Sequence, residues 1–513
     1  MKKRSTSLSG FFNLRILLGL VVLFVGAFLA LFAVANPPAV TREDARNPKA
    51  RVVRANGPAL VTSSGVQEAW VARYNGPGNN RDEATDIAVD SVGNVYVTGR
   101  STGLSGDFDF VTIKYNPIRQ REWVARYNGP GNGDDLASAI AVDSRGNVYV
   151  TGSSSDPHTC NGYATIKYNP FGREQWVQRY CGMTNSSGGA TAIALDNSDN
   201  VYVTGTSDGE YATIRYNSAG QQQWVARYNG PSGDDEARAI AIDASGNIYV
   251  TGYSLGPPVT YYYNYATVKY NSNGQQQWVA RYNEQGYGDD YALGLAVDGS
   301  GNVYVTGFST AANGFFDYAT IKYDAVGQQQ WAARYDGPTN FQDYGEAIAV
   351  DSSSNVYVTG QSYSQVGAGY ATVKYNSTGK EQWVAQYNGP VGEDNADAIA
   401  IDNAANVYVT GTSLGLDTNY DYATIKYDSV GEEQWVARYN GPANDADYAS
   451  AMAIDRSGNV YVTGNSFGSA TEFDYATIKY VQSPTPTPTP SSTPTPRITP
   501  RPRPTTRPRP TPP

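Results

Sequence analysis

Short stretches in which apolar and polar positions alternate every second residue fill this chain, and they recur in a fixed order. A-I-A-V-D, V-Y-V-T-G, Y-A-T-I-K-Y and W-V-A-R-Y follow one another, separated by clusters of Gly, Asn, Asp and Ser. Alternation rich in β-branched and aromatic residues predicts half-buried strands, and the polar clusters predict turns. In the second unit the strands are expected at 139–143, 147–151, 163–168 and 175–180. No segment of the repeats shows sustained helical periodicity with caps. The pattern returns about every 53 residues and carries one tryptophan each time: Trp70, Trp123, Trp176, Trp224, Trp278, Trp331, Trp383 and Trp435. Four strands in a unit of this length predict a propeller blade.

Side-chain size orders the strands within a blade. Inner strands crowd the axis and need small residues, which suits A-I-A-V-D. Outer strands splay apart and need bulk, which suits W-V-A-R-Y, where a Trp buries about 200 Å² against its neighbour. The chain opens with a tryptophan strand at 69–74 that precedes any inner strand, and closes with a Y-A-T-I-K-Y strand at 475–480 that no tryptophan follows. Pairing these two orphans completes a last blade and removes exposed sheet edges. The expected fold is therefore all-β: an eight-bladed propeller over 66–480, closed by its N-terminal strand and monomeric. An open solenoid is the competing architecture.

The phrases D-x-x-G-N-V-Y-V-T-G, D-Y-A-T-I-K-Y and Q-W-V-A-R-Y resemble the bacterial SBBP-type β-propeller repeat, and the resemblance runs through the whole of 66–480. It implies an exported or surface protein without a common activity, and it implies seven blades where this chain has eight units. A weaker likeness links Asn217, Gly220 and Trp224 to the blade-packing motif of eight-bladed quinoprotein dehydrogenases; it concerns packing and not a cofactor.

Outside the repeats the composition changes. Lys2, Lys3, Arg4 and Arg15 precede a long apolar run that ends at Ala33-Val34-Ala35, which reads as an export signal over 1–35. The competing reading is an uncleaved anchor attaching the chain to a membrane through residues 16–35. Either way the repeats face an extracytoplasmic compartment, secreted or held at the envelope. Residues 36–65 read as a linker. Residues 481–513 alternate Pro and Thr with five arginines and no acid, a disordered, polyproline-type tail that serves as a stalk or simply stays solvated. Removing the nine basic residues of the two ends from 38 leaves 29 against 48 acidic ones, a charge near −19. So acidic a domain disfavours nucleic acid.

Candidate chemistry is confined to one face. The B–C loops vary in length, and the longest carries Tyr261, Tyr262 and Tyr263. The D–A loops on the same face collect acids: Asp82, Glu83, Asp134, Asp135, Asp234, Asp235, Asp289, Asp290, Asp343, Glu393, Asp394, Asp445 and Asp447. Lying just before the inner strands, they are expected to ring the channel mouth and hold a cation or polyol, with weak calcium affinity; the alternative is that each caps its own loop. The D-x-x-G-N turns of the other face, such as Asp90-Gly93-Asn94, lack a calcium ligand ladder and read as structural. Cys160 and Cys181 fall in loops of one blade and face, so a disulfide is expected in an oxidising compartment. His158 is the sole histidine, which leaves no His-based triad or multi-His metal site. The reading is a non-enzymatic binding or adhesion scaffold for a glycan or protein, with no cofactor and no confident metal site. A carbohydrate-active hydrolase or lyase using the acidic mouth is the alternative.

Overall fold

The computed structural model describes residues 65–156, 160–183, 188–284 and 288–482. The export-signal, anchor and tail readings, most of the linker, and His158 lie outside the described residues. Among the described residues no helix is long and apolar enough to cross a membrane.

Among the described residues thirty-two strands run in chain order from β1 (Val66–Tyr74) to β32 (Phe473–Gln482). They form eight four-stranded antiparallel sheets. Seven are consecutive quartets, beginning with β2 (Asp82–Val89), β3 (Val95–Thr102), β4 (Phe108–Tyr115) and β5 (Arg121–Tyr127). The eighth takes β30 (Asp447–Ile454), β31 (Val460–Phe467) and β32 from one end of the chain and β1 from the other. The remaining inner strands are β6 (Asp135–Val142), β10 (Gly188–Leu195), β14 (Asp235–Ile242), β18 (Asp290–Val297), β22 (Asp343–Val350) and β26 (Asp394–Ile401). Blades are numbered 1 to 8 by these inner strands, from β2 to β30.

The hydrophobic core lies between blades. The cluster around Trp70, Ala72 and Tyr74 of blade 8 packs on Ala84, Ile87, Val95 and Ile113 of blade 1. An equivalent cluster occupies every other interface. Each tryptophan bridges to the next blade rather than filling its own. The Nε1 of Trp224 donates to the Ser272 carbonyl at 3.1 Å, and Trp123 to the Pro170 carbonyl at 3.0 Å. The glycine of that neighbouring turn is obligatory for contact: a Cβ on Gly274 would sit 2.6 Å from the Trp224 ring. Gly220, in the stretch with quinoprotein-like spacing, meets Trp176 of the preceding blade in the same way. Only Trp435 lacks such a carbonyl. Its neighbour is the seam between β32 and β1, where no turn exists, and its Nε1 is buried without a partner.

The D-x-x-G-N turns are self-contained. Asp90 Oδ1 accepts the Val92 and Asn94 amides, and Oδ2 accepts Asn94 Nδ2 and the Tyr96 hydroxyl. Three turns carry another residue at the glycine position, and Ala405 is held there at φ 59°.

Two outcomes follow. Ala405→Gly should stabilise the protein by about 1 kcal/mol by relieving a left-handed alanine, measured by urea unfolding. Trp435→Ala, which empties a site 2 % exposed, should cost about 3–5 kcal/mol.

Candidate functional site

The inner strands start four residues earlier than the alternation suggests, and this moves the acids. Asp82, Asp135, Asp235, Asp290, Asp343, Asp394 and Asp447 are the first residues of their strands and are buried. Their carboxylates close the loop before them. Asp235 accepts the Gly230 amide at 2.7 Å, Asp343 that of Gly337 at 2.7 Å, and Asp394 that of Gly389 at 2.6 Å. A serine of the adjacent strand shares the site, and a Cβ on Gly129 would lie 2.5 Å from Ser154 Oγ. These residues are therefore buried turn locks rather than exposed carboxylates. Burying a carboxylate is costly unless donors meet it; Asp135, Asp235, Asp394 and Asp447 each give one oxygen to a turn amide, while their other oxygen is buried without a partner.

Their neighbours are engaged across loops. Asp134 accepts the Phe108 amide, and Asp289 the Tyr263 amide. Asp234 accepts the Tyr263 hydroxyl, Glu393 that of Tyr420, and Asp445 the Asn419 amide group. Glu83 pairs with Arg81 and Arg100. Among the described residues three carboxylates come together at Asp317, Asp336 and Asp343, each with one oxygen within 4.8 Å of the others. Arg334 already answers Asp317 at 3.0 Å. Cys160 and Cys181 form the expected disulfide, with Cα atoms 5.6 Å apart.

What breaks the eightfold pattern lies elsewhere. Every inner strand carries a β-bulge two residues after its second position. Pairing skips one residue between Ala237 and Ala239, between Ala292 and Gly294, between Gly345 and Ala347, and between Ala396 and Ala398. A bulge re-aims the extra side chain. That residue is Thr85, Ser138, Thr191 or Ser450 on one side of the ring, but Arg238, Leu293, Glu346 and Asp397 on blades 4 to 7. The charges of Arg238 and Glu346 act on each other although blade 5 separates their strands, and so do those of Glu346 and Asp397. All three occupy the same bulge position of an inner strand, which sets them at the axial channel. Enclosure away from bulk water pushes the Glu346 carboxyl up to about 8, with Arg238 opposing the shift. Enclosure, then repulsion from Glu346, holds Asp397 well above its ordinary value.

Above this tier, toward the variable-loop face, blades 4 to 6 carry a continuous aromatic wall in which Tyr253, Tyr291 and Phe308 are buried and Tyr263, Phe316 and Tyr344 are partly exposed. Tyr253 meets Tyr291 at 4.9 Å, Tyr291 meets Phe308 at 5.1 Å, and Phe308 meets Phe316 and Tyr344 at 5.0 Å each. Arg238 joins the two levels: it donates to the Tyr253 hydroxyl at 2.9 Å and lies over that ring. The exposed Tyr261 and Tyr262 flank the wall. Sequence reasoning singled out Tyr263 but missed Arg238, Glu346 and Asp397. The signal was present in the inner-strand motif, whose fourth position reads T, S, T, R, L, E, D, S around the ring.

The repeat itself has a family. Seven stretches match the SBBP beta-propeller repeat, at residues 69–107, 122–157, 223–257, 277–315, 337–367, 382–417 and 434–469. The chain belongs to the SBBP β-propeller repeat family. The unit without a match spans the tryptophan strand of blade 2 and the first two strands of blade 3, where Cys181 and N-S-S-G-G-A replace the usual residues. That unit still folds as its neighbours do, so the SBBP ring has eight blades. No curated protein matches this SBBP chain. Solved structures similar to it include a PL25 ulvan lyase, at 11 % identity and TM-score 0.40, covering 72 % of this chain and 95 % of that one. A gluconolactonase from Xanthomonas campestris has 11 % identity and TM-score 0.34, with 82 % and 100 % covered. A puromycin hydrolase has 11 % identity and TM-score 0.40, with 79 % and 62 % covered. At these values none of the three bears on what the SBBP ring does.

Stability of the SBBP ring should depend on pH in an unusual direction. Burial raises the carboxyls of Asp135, Asp290 and Asp447 from 3.8 to about 7 and that of Asp82 to about 6. The folded ring then keeps protons that the unfolded chain has released, so the stability these groups contribute is complete below about pH 4 and is lost as pH rises through 6–7. The turn aspartates, such as Asp143 and Asp243, are shifted down by their amide and side-chain donors despite burial, so what they contribute is lost only in acid. The melting temperature should therefore peak near pH 5 and fall toward pH 8, read by calorimetry across that range. Reducing the Cys160–Cys181 bond, which closes a 21-residue separation, should cost about 3 kcal/mol, read as the shift in urea midpoint with and without reductant.

Proposed function

We propose that this protein is an exported or surface-held binding scaffold whose ligand is a glycan, taken on the loop face of blades 4 to 6. The aromatic wall from Tyr253 to Tyr344 carries this reading. It is a larger aromatic cluster than the one of Tyr420, Tyr448, Phe467 and Phe473 on blades 7 and 8, and its partly exposed rings, Tyr263, Phe316 and Tyr344, stand on strand ends beside variable loops, where binding sites are built. Sugar rings offer C–H faces that pack on aromatic rings, and hydroxyls that meet carboxylates such as Asp234 and Asp289 along the rim. Aromatic lining with a few fixed polar groups is the composition of a ligand site. The export-signal character of 1–35 supports a location where polysaccharide is met, whether the segment is cleaved or anchors the chain.

The experiment is retention of the full chain on cellulose, xylan, mannan and laminarin, with released reducing ends measured in parallel. Retention on at least one, without product, is expected. Tyr344→Ala with Phe316→Ala should weaken it about 30-fold, the loss typical of aromatic anchors. Retention unaffected by the double variant, or absent from all four, would reject the reading. Product release in step with retention would instead favour the hydrolase or lyase alternative.

A further inference from the structure

The channel tier beneath the wall has a polar chemistry that the propeller does not satisfy itself. On the quiet side of the ring two of the bulge residues close their own bonds: Thr85 Oγ1 donates to the Ala137 carbonyl at 2.9 Å, and Thr191 to that of Ala237 at 2.8 Å. On blades 4 to 7 the accounts stay open. Arg238 meets Glu236 and Tyr253 through Nη2, but its Nε is buried without a partner. Glu346 has no hydrogen-bond partner among the described residues, and Asp397 receives only Asn395 Nδ2, at 2.6 Å. A buried Nε without a partner is costly, and Thr85 and Thr191 show that a hydroxyl at this position avoids the cost.

We infer that the channel mouth of blades 4 to 7 is a subsite for one neutral, hydroxyl-rich sugar ring of the glycan lying on the aromatic wall, with Arg238, Glu346 and Asp397 as its hydrogen-bonding groups. The inference rests on the glycan reading and adds to it the class of sugar. A hydroxyl both donates and accepts, so one kind of ligand answers the exposed part of the Arg238 guanidinium and both carboxyls. A metal cation would meet the Arg238 guanidinium on the same axis. A uronate or sulfated sugar would meet Glu346, Asp397 and the acidic rim. Enclosure keeps the Glu346 carboxyl largely protonated near neutral pH, in which form it donates to a sugar oxygen as well as accepting. Leu293, between Arg238 and Glu346, packs beneath the aromatic rings and leaves an apolar floor for a sugar face.

The test is calorimetric titration of the full chain with cellohexaose, xylohexaose, mannohexaose and laminarihexaose, using Glu346→Leu, Glu346→Gln, Arg238→Met and the wall variant Tyr344→Ala. Glu346→Leu and Arg238→Met should each weaken binding of the preferred hexasaccharide about tenfold, the loss expected for a hydrogen bond to a charged or strongly polar group. Glu346→Gln should stay within threefold of wild type, because the amide both donates and accepts. Glu346→Leu should not lower the melting temperature, since Glu346 accepts no hydrogen bond among the described residues and the cost of enclosing its carboxyl outweighs its attraction to Arg238; a purely structural role would lower it. Affinity unchanged within twofold in Glu346→Leu and Arg238→Met, while Tyr344→Ala still weakens binding, would overturn the subsite and leave the wall in place. Binding of none of the four sugars would overturn both.

Discussion

Strands β1 and β32 pair antiparallel from Val66 opposite Gln482 to Tyr74 opposite Tyr475, though they come from opposite ends of the described chain. Every other element depends on that pairing. A four-stranded blade exposes two apolar faces, and each face is covered only by the next blade, so a ring with a gap leaves two of its cores open to water. Closure removes the gap with backbone hydrogen bonds and places Trp70 against blade 1. The mismatch at the seam is visible in Trp435, which has the burial of a core residue but not the carbonyl partner found by Trp224 or Trp123.

The repeated interface then relieves individual positions of structural duty. Tryptophan, turn glycine and turn carbonyl interlock between blades, and Asp with its loop amide and serine locks the start of each inner strand. With both ends of a blade held this way, the bulge residue on the inner strand contributes little to the fold. Thr, Ser, Arg, Leu, Glu and Asp all occupy it without disturbing the pairing on either side. The same scaffold therefore presents a polar, self-satisfied half-channel and a charged half-channel capped by aromatic rings. Asymmetry enters at the few positions where it is inexpensive.

Period, strand order and half-blade complementarity made the fold legible, since a 2-residue alternation and a Trp every blade report directly on burial. The cysteine pair was legible too, because both residues depart from the repeat in neighbouring loops. The acids misled for a definite reason. Asp135 and its equivalents sit at the boundary between loop and strand, and alternation reads the strand only from the first Ala of A-I-A-V-D. The bulge between Ala137 and Ala139 hides the four residues before it by putting the alternation out of phase. The same phase break concealed Arg238, Glu346 and Asp397 as members of one set.

By itself, then, the sequence determined what local patterning determines: which residues are strands, how many blades there are, which strand faces the axis and how the ring closes. Only the tertiary structure decided which way the polar side chains of the inner strands point. Burial turned the conspicuous aspartates into loop locks, because amides and serine hydroxyls from other segments converge on them. The bulge brought three inconspicuous residues, from blades 4, 6 and 7, to a common axis beneath an aromatic wall. Convergence of that kind depends on the curvature of the closed ring, which no single repeat contains.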